Sequence, residues 1–168
     1  MTIRSETPAE YGRIHELVKV AFETAQVTNG REQDYVDELR AGAGYIPELA
    51  LVVEDDGDLI AHIMLTKRGI DDGAAGREVL YLAPVSVALE RRGQGIGSAL
   101  IREALRRATE AGHGAVILVG NPDYYCRFGF APSSRFGITN TNDIPEQYVM
   151  ALELRPNALR GIQGTVSF

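Results

Sequence analysis

Nine consecutive residues, Glu90-Arg91-Arg92-Gly93-Gln94-Gly95-Ile96-Gly97-Ser98, carry the clearest chemical signal in the sequence. Glycines at 93, 95 and 97 let successive amides turn toward one point. A helix opening there adds unpaired N–H groups and the positive end of its macrodipole. Together these make an anion site suited to phosphate. Arg91 and Arg92 add charged donors at its rim, and Arg102 or Arg106 would extend that surface along the helix. Two other phosphate loops fail on spacing. A P-loop requires a lysine before Ser or Thr, and none follows Gly97. A dinucleotide loop requires a third glycine where Leu100 stands, and the next strand has no terminal acid for a ribose. A merely flexible turn would not explain arginines beside three alternating glycines.

The second segment is Gly120-Asn121-Pro122-Asp123-Tyr124-Tyr125-Cys126-Arg127-Phe128-Gly129-Phe130. A tyrosine here can protonate a leaving group, because a reference pKa near 10 makes it a better acid than base at neutral pH. Tyr124 and Tyr125 are one helical position apart, so at most one points squarely into a cleft. Packing with satisfied hydroxyls is the bland alternative for both. Cys126 reads as a buried or semi-buried thiol rather than a nucleophile.

The elements that must position these segments follow from periodicity. A helix is predicted over Pro8–Phe22, with Thr7 as cap, Pro8 at its first position, Glu10 closing a capping box, and an apolar stripe of Ile14, Leu17, Val18 and Ala21. A second helix is predicted over Arg31–Arg40. Two short strands, Leu49–Glu54 and Leu59–Thr66, flank the turn Asp55-Asp56-Gly57-Asp58. An acidic turn, Ile70–Gly76, precedes a strand over Glu78–Val87. A helix over Gly95–Ala111 leads to an apolar strand, Ala115–Val119. A short helix over Pro122–Phe128 and a closing strand over Tyr148–Leu154 complete the order. This order implies an α/β fold, a central mixed sheet with helices on both faces. The unit 79–87, 95–111, 115–119 is a crossover whose strand ends open onto one crevice beside the phosphate turn.

The chain of 168 residues suits one domain spanning 1–168, and an apolar fraction of 45% excludes a wholly disordered chain. With 17 basic and 23 acidic residues the net charge is −6, which argues against a broad nucleic-acid surface and tilts toward cationic or amine substrates. The most apolar run, Val79–Leu89, is about half the length needed to cross a bilayer. The start, MTIRSETPAEY, lacks a secretory core, so no membrane and a soluble cytoplasmic protein are the expectations. One cysteine supports neither an internal disulfide nor a Cys-rich zinc site, and no metal is expected. The tail Gly161–Phe168 would tuck against the body or supply a strand to a homodimer.

The two segments together resemble the GNAT superfamily of acyl-CoA-dependent N-acetyltransferases. The cofactor motif of that family, Arg or Gln, two residues, Gly, one residue, Gly or Ala, stands here as Arg92-Gly93-Gln94-Gly95-Ile96-Gly97 after Val85-Ser86-Val87. A tyrosine five residues before the phenylalanine of a Gly-Phe pair is matched by Tyr125 and Gly129-Phe130. The wording GNPDYYCRFGF most resembles the YhbS-like branch. The resemblance covers roughly residues 3–155, with the specific motifs confined to 85–130.

It implies a single domain with a twisted, mostly antiparallel sheet splayed at the cofactor site. It also implies acetyl-CoA as cosubstrate, with its pyrophosphate on the amides around Gln94, Gly95, Gly97 and Ser98 and its pantetheine arm on the main chain near Val85 and Val87. Asn121 falls where the family often has a polar residue near that arm, and Tyr125 would protonate the departing thiolate. The acetyl group would go to a primary amine, on a small molecule or on a peptide or protein, by direct attack in a ternary complex. The sequence departs from the family at the general base. Val79–Val87 has no carboxylate, Glu78 lies at the far end, and Glu48, His62, Asp123 or a water chain remain open. That gap leaves a non-catalytic acyl-CoA-binding or partner-binding module as the alternative.

Overall fold

The computed structural model describes residues 1–74 and 76–168. The acidic turn expected over Ile70–Gly76 includes Ala75, which lies outside the described residues. The fold is mixed α/β, with a mostly antiparallel sheet flanked by helices. The chain falls into two compact units, Met1–Thr66 with Ala83–Arg107, and Lys67–Leu82 with Ala108–Phe168.

The first unit opens with a strand that the sequence does not predict, β1 (Thr2–Ser5). Its four residues include one large apolar side chain, so periodicity is silent there. It forms because every residue pairs antiparallel with β2 (Ala50–Asp55), from Thr2 opposite Glu54 to Ser5 opposite Leu51. Arg4 then clamps the start of the chain, donating to both Glu10 and Glu54. The Arg4 hydrogen bonds hold the Glu10 carboxyl down at about 2, against the opposing effect of burial. A carboxylate lowered on folding stabilises the native state above its unfolded pKa, and that contribution fades as pH falls through the folded value. Urea unfolding should therefore show stability dropping between about pH 5 and about pH 2. Glu10→Gln should flatten that part of the profile, and an unchanged slope would refute the assignment.

The helix predicted from Pro8 begins as a 3-10 turn, Pro8–Glu10, and becomes α1 at Tyr11–Phe22. The capping contact is present, with the Thr7 amide donating to the Glu10 carboxylate at 2.9 Å. α2 (Glu32–Ala41) lies within a residue of its predicted span. Ile14 and Val18 of α1 and Val36 of α2 form one buried cluster with Ala50, Val52 and Met64. β2 and β3 (Asp58–Ile70) join through Asp56 and Gly57, both with positive φ (49° and 85°). Two such residues are what a two-residue hairpin turn requires. β3 runs to Ile70, four residues past its predicted end, and its residues 58–66 belong to this unit. The unit also holds the end of β4 (Arg77–Val87) and most of α3 (Ile96–Glu110), whose buried stripe is Ile96, Leu100, Ile101 and Ala104.

In the second unit the strand order is β4, β5 (Ala115–Val119), β8 (Val149–Glu153), β6 (Ala131–Pro132). β4 and β5 are parallel, with Leu80 opposite Val116 and Tyr81 opposite Ile117, as a crossover requires. The strand expected to close the sheet at Tyr148–Leu154 is instead internal. β8 pairs antiparallel with β5 over five residues on one side and with β6 on the other. Its buried Val149, Met150 and Ala151 explain the weak alternation of its sequence. α4 (Pro122–Tyr125) is shorter than predicted and passes into a 3-10 turn, Cys126–Phe128. The tail forms β9 (Gly164–Val166), paired in parallel with β7 (Ile138–Asn140) and bridged to Asp71. Phe168 then lies on the ring of Tyr81 at 5.1 Å, and Arg68 covers the same tyrosine at 4.6 Å.

Candidate functional site

In the first unit, β4 ends in Val85 and Val87, both half-buried, with Ser86 buried between them. A 3-10 turn, Leu89–Arg91, then leads into the glycine loop. Gly93 and Gly95 have φ of 73° and 78°, the left-handed region that only glycine enters freely. A Cβ built at either would meet nothing within 4 Å, so both face open space. At the start of α3 Ala99 N donates to Gly95 O at 3.0 Å, and the amides of Gly95, Ile96 and Gly97 lie in the opening turn, ahead of the regular ladder. Gln94 is exposed and Ser98 half-buried at the same mouth. These features fit a phosphate, which asks for convergent amides and room in front of them.

The two arginines of the loop behave differently from simple rim charges. Arg91 pairs with Asp55 at 2.8 Å. Arg92 reaches back to the end of α1, donating to the Ala21 carbonyl and to the Thr24 hydroxyl at 3.1 Å. Its guanidinium therefore braces the loop against that helix end. Arg106 is engaged along α3 by Glu103, 2.8 Å away.

In the second unit, Asn121 caps α4 with its side-chain oxygen accepting from the Asp123 amide at 2.9 Å. Pro122 occupies the first helical position, where its missing N–H is harmless. Tyr125 projects from the last turn into an aromatic nest. Its ring meets Tyr124 edge-on at 5.0 Å and Phe130 at 6.0 Å. Gly129, at φ 95°, ends the following turn in the left-handed region and returns Phe130 to the interior. Gly120 has to be small, because a Cβ there would run into the Tyr125 ring and come within 3.2 Å of Leu118 Cδ1. Burial first, then the neighbouring Tyr124 and Tyr81, push the Tyr125 hydroxyl up to about 12. It therefore keeps its proton at neutral pH. Tyr124 instead lies under Arg127, 4.5 Å from its ring. Cys126 is exposed, contrary to the buried or semi-buried thiol expected.

The open question of a base looks different in three dimensions. Glu48 and Asp123 are both exposed, whereas His62 is fully buried. The His62 ring Nε2 lies 2.9 Å from Glu6, a residue with no signal in the sequence. That carboxylate also accepts from Arg40 at 2.7 and 3.0 Å and from the Tyr45 hydroxyl at 2.9 Å. Burial alone would push Glu6 up, but the bonds from His62 and Arg40 outweigh it and hold the group at about 2. Among the described residues, no group of three or more His, Cys, Asp or Glu side chains is arranged to hold a metal ion. No helix of the described residues is long and apolar enough to cross a membrane.

Residues 2–133 match the sequence model of a family described as an acetyltransferase (GNAT) domain, and the chain belongs to that family. Within it, the chain falls in the YhbS-like branch. It is 27% identical to the uncharacterized N-acetyltransferase YhbS of Escherichia coli strain K12, over all of this chain and 96% of that protein. The crystal structure of Escherichia coli YhbS in complex with CoA superposes with a TM-score of 0.86 at 28% identity, covering 99% of this chain and 88% of that one. A GNAT family acetyltransferase from Brucella melitensis, solved with acetyl-CoA, gives 0.79 at 32% identity, covering 99% and 94%.

Proposed function

We propose that this protein is an acetyl-CoA-dependent N-acetyltransferase acting on a primary amine. The observation that carries the reading is the glycine loop, where left-handed Gly93 and Gly95 open free space in front of amides left outside the α3 ladder. Solved relatives described with CoA and with acetyl-CoA support the same ligand. In this reading the amides around Gln94, Gly95, Gly97 and Ser98 hold the pyrophosphate. The main chain near Val85 and Val87 aligns the pantetheine arm, with Asn121 as a polar neighbour. Acetyl-CoA supplies an acyl carbon already activated as a thioester.

Binding both reactants in one orientation removes the entropy of a bimolecular encounter, so few side chains need act. Tyr125 gives its proton to the departing thiolate, and no acyl-enzyme forms. An unbiased screen of small and peptide amines with acetyl-CoA, reading thiol release and product mass, tests the reading. Acetylated product supports it, and acetyl-CoA binding with no product from any amine would favour a non-catalytic module.

The same reading makes Gly120 sensitive. Gly120→Ala forces the Tyr125 ring aside and is expected to lower kcat about 10- to 100-fold, since a small misplacement near reacting groups has effects of that order. Calorimetric affinity for acetyl-CoA should stay unchanged. Wild-type kcat in this variant would show that the position of the ring does not matter.

A further inference from the structure

Acetyl transfer to an amine, on which this inference rests, leaves a proton to be placed: an ammonium must lose one before its nitrogen can attack. β4 offers no carboxylate over Val79–Val87. The first unit contains another acceptor. His62 and the Glu6 side chain are both fully shielded, and a carboxylate held ionised by Arg40 only accepts, so in the neutral ring the shared hydrogen sits on His62 Nε2. Nδ1 is left as a bare lone pair. That nitrogen has no hydrogen-bond partner, and neither do the hydroxyls of Thr66 and Ser86, although all three atoms are buried.

The sheet sets His62 and Ser86 side by side on adjacent strands, with Thr66 four residues further along the strand of His62. His62 and Thr66 share one face of β3. The bond from Ala88 N to Ile60 O, 2.9 Å, sets the pairing of β3 with β4 and brings Ser86 level with His62 on the adjacent strand. A buried polar atom left without a partner loses its hydration with nothing in return, so such groups are normally satisfied by ordered water. Ser86 also sits between Val85 and Val87, the strand segment assigned above to the pantetheine arm.

We infer that Ser86 and His62 form the proton relay of the reaction: a proton of the acceptor ammonium passes through ordered water to the buried Ser86 hydroxyl, and the hydroxyl's own proton passes on to Nδ1 of His62. One N–H bond of the ammonium breaks and one N–H bond on the imidazole forms, with no change in oxidation state. Glu6 stabilises the resulting imidazolium, the part a buried carboxylate plays toward histidine in hydrolase triads. The other charged and titratable groups about this ring are Arg40 and Asp37 of α2, Tyr11 of α1, and Tyr45. Arg40 is paired with Asp37 at 2.9 Å and lies 3.9 Å over the Tyr11 ring, so Glu6 is the carboxylate that meets the imidazole.

Two measurements test the relay. NMR of the imidazole nitrogens in the intact protein should find His62 protonated on Nε2 and bare on Nδ1; a proton on Nδ1 with Nε2 bare would overturn the proposal whatever the activity. The kinetic arm compares the alkylamine turned over fastest in the screen with hydroxylamine, which is already neutral at neutral pH and needs no base. In His62→Gln, and in the milder Ser86→Ala should the first fail to fold, kcat for the alkylamine relative to hydroxylamine is expected to fall about 100-fold, the scale of a positioned base. An unchanged ratio overturns the relay while leaving acetyl transfer intact, whereas a wild-type protein that binds no acetyl-CoA overturns the acetyltransferase reading itself.

Discussion

Tyr125→Phe is expected to lower kcat about 100-fold, the lower range for loss of a positioned acid, with acetyl-CoA affinity unchanged. The argument runs from packing to chemistry. The Tyr125 ring is fixed by Tyr124 and Phe130 and by the missing side chain of Gly120, so phenylalanine fills the same nest without disturbance. Only the hydroxyl is lost. Burial pushes that hydroxyl up to about 12, so it is protonated across the working range and can deliver a proton to a thiolate as the carbon–sulfur bond breaks. Steady-state kinetics at saturating acetyl-CoA is the check. An unchanged kcat would remove Tyr125 from the chemistry, and a rise in the acetyl-CoA dissociation constant instead would make it a binding residue.

Glu6→Ala should have the largest effect on stability, about 3–5 kcal/mol, the usual consequence of removing one partner from a buried ionic cluster. It leaves Arg40, 8% exposed at its side chain, without its bidentate acceptor and strips the His62 ring of the one side-chain hydrogen bond it makes among the described residues. It also disconnects the link between β1 and α1 from α2 and β3, because one carboxylate holds Arg40, Tyr45 and His62 at once. Urea unfolding with two probes measures it. A loss below about 1 kcal/mol, typical of an exposed pair, would contradict the burial and bonding of the cluster.

The glycine loop was legible in the sequence because its physics is local. Alternating glycines between a strand and a helix can mean little other than left-handed turns at a helix mouth, and Gly93 and Gly95 have those dihedrals. The hairpin at Asp56-Gly57 was legible for the same reason. Arg92 shows the limit of local reasoning. Its charge suggests a rim donor, yet its direction is set by a carbonyl at the end of α1, 71 residues away in the chain.

Glu6 is the extreme case. Between Ser5 and Thr7 it resembles any surface acid, and the partners that bury it lie 34, 39 and 56 residues further on. β1 and the inner position of β8 were hidden likewise, since pairing partners rather than their own periodicity make them strands. The match of residues 2–133 to the GNAT family then gives the loop and Tyr125 a common context that neither supplies alone.

The most direct measurement follows the backbone amide signals of residues 93–98 as acetyl-CoA is added, in the wild-type protein and in Gly95→Val. Gly95 has φ 78° and open space before it, so a branched side chain both strains the turn and fills the cradle. Saturable shifts concentrated on these amides, and an affinity weakened about 100-fold or more in the variant, a loss of about 2.7 kcal/mol, are expected. Signals at 93–98 that stay still under saturating acetyl-CoA, or a variant that binds as tightly as the wild type, would contradict the account.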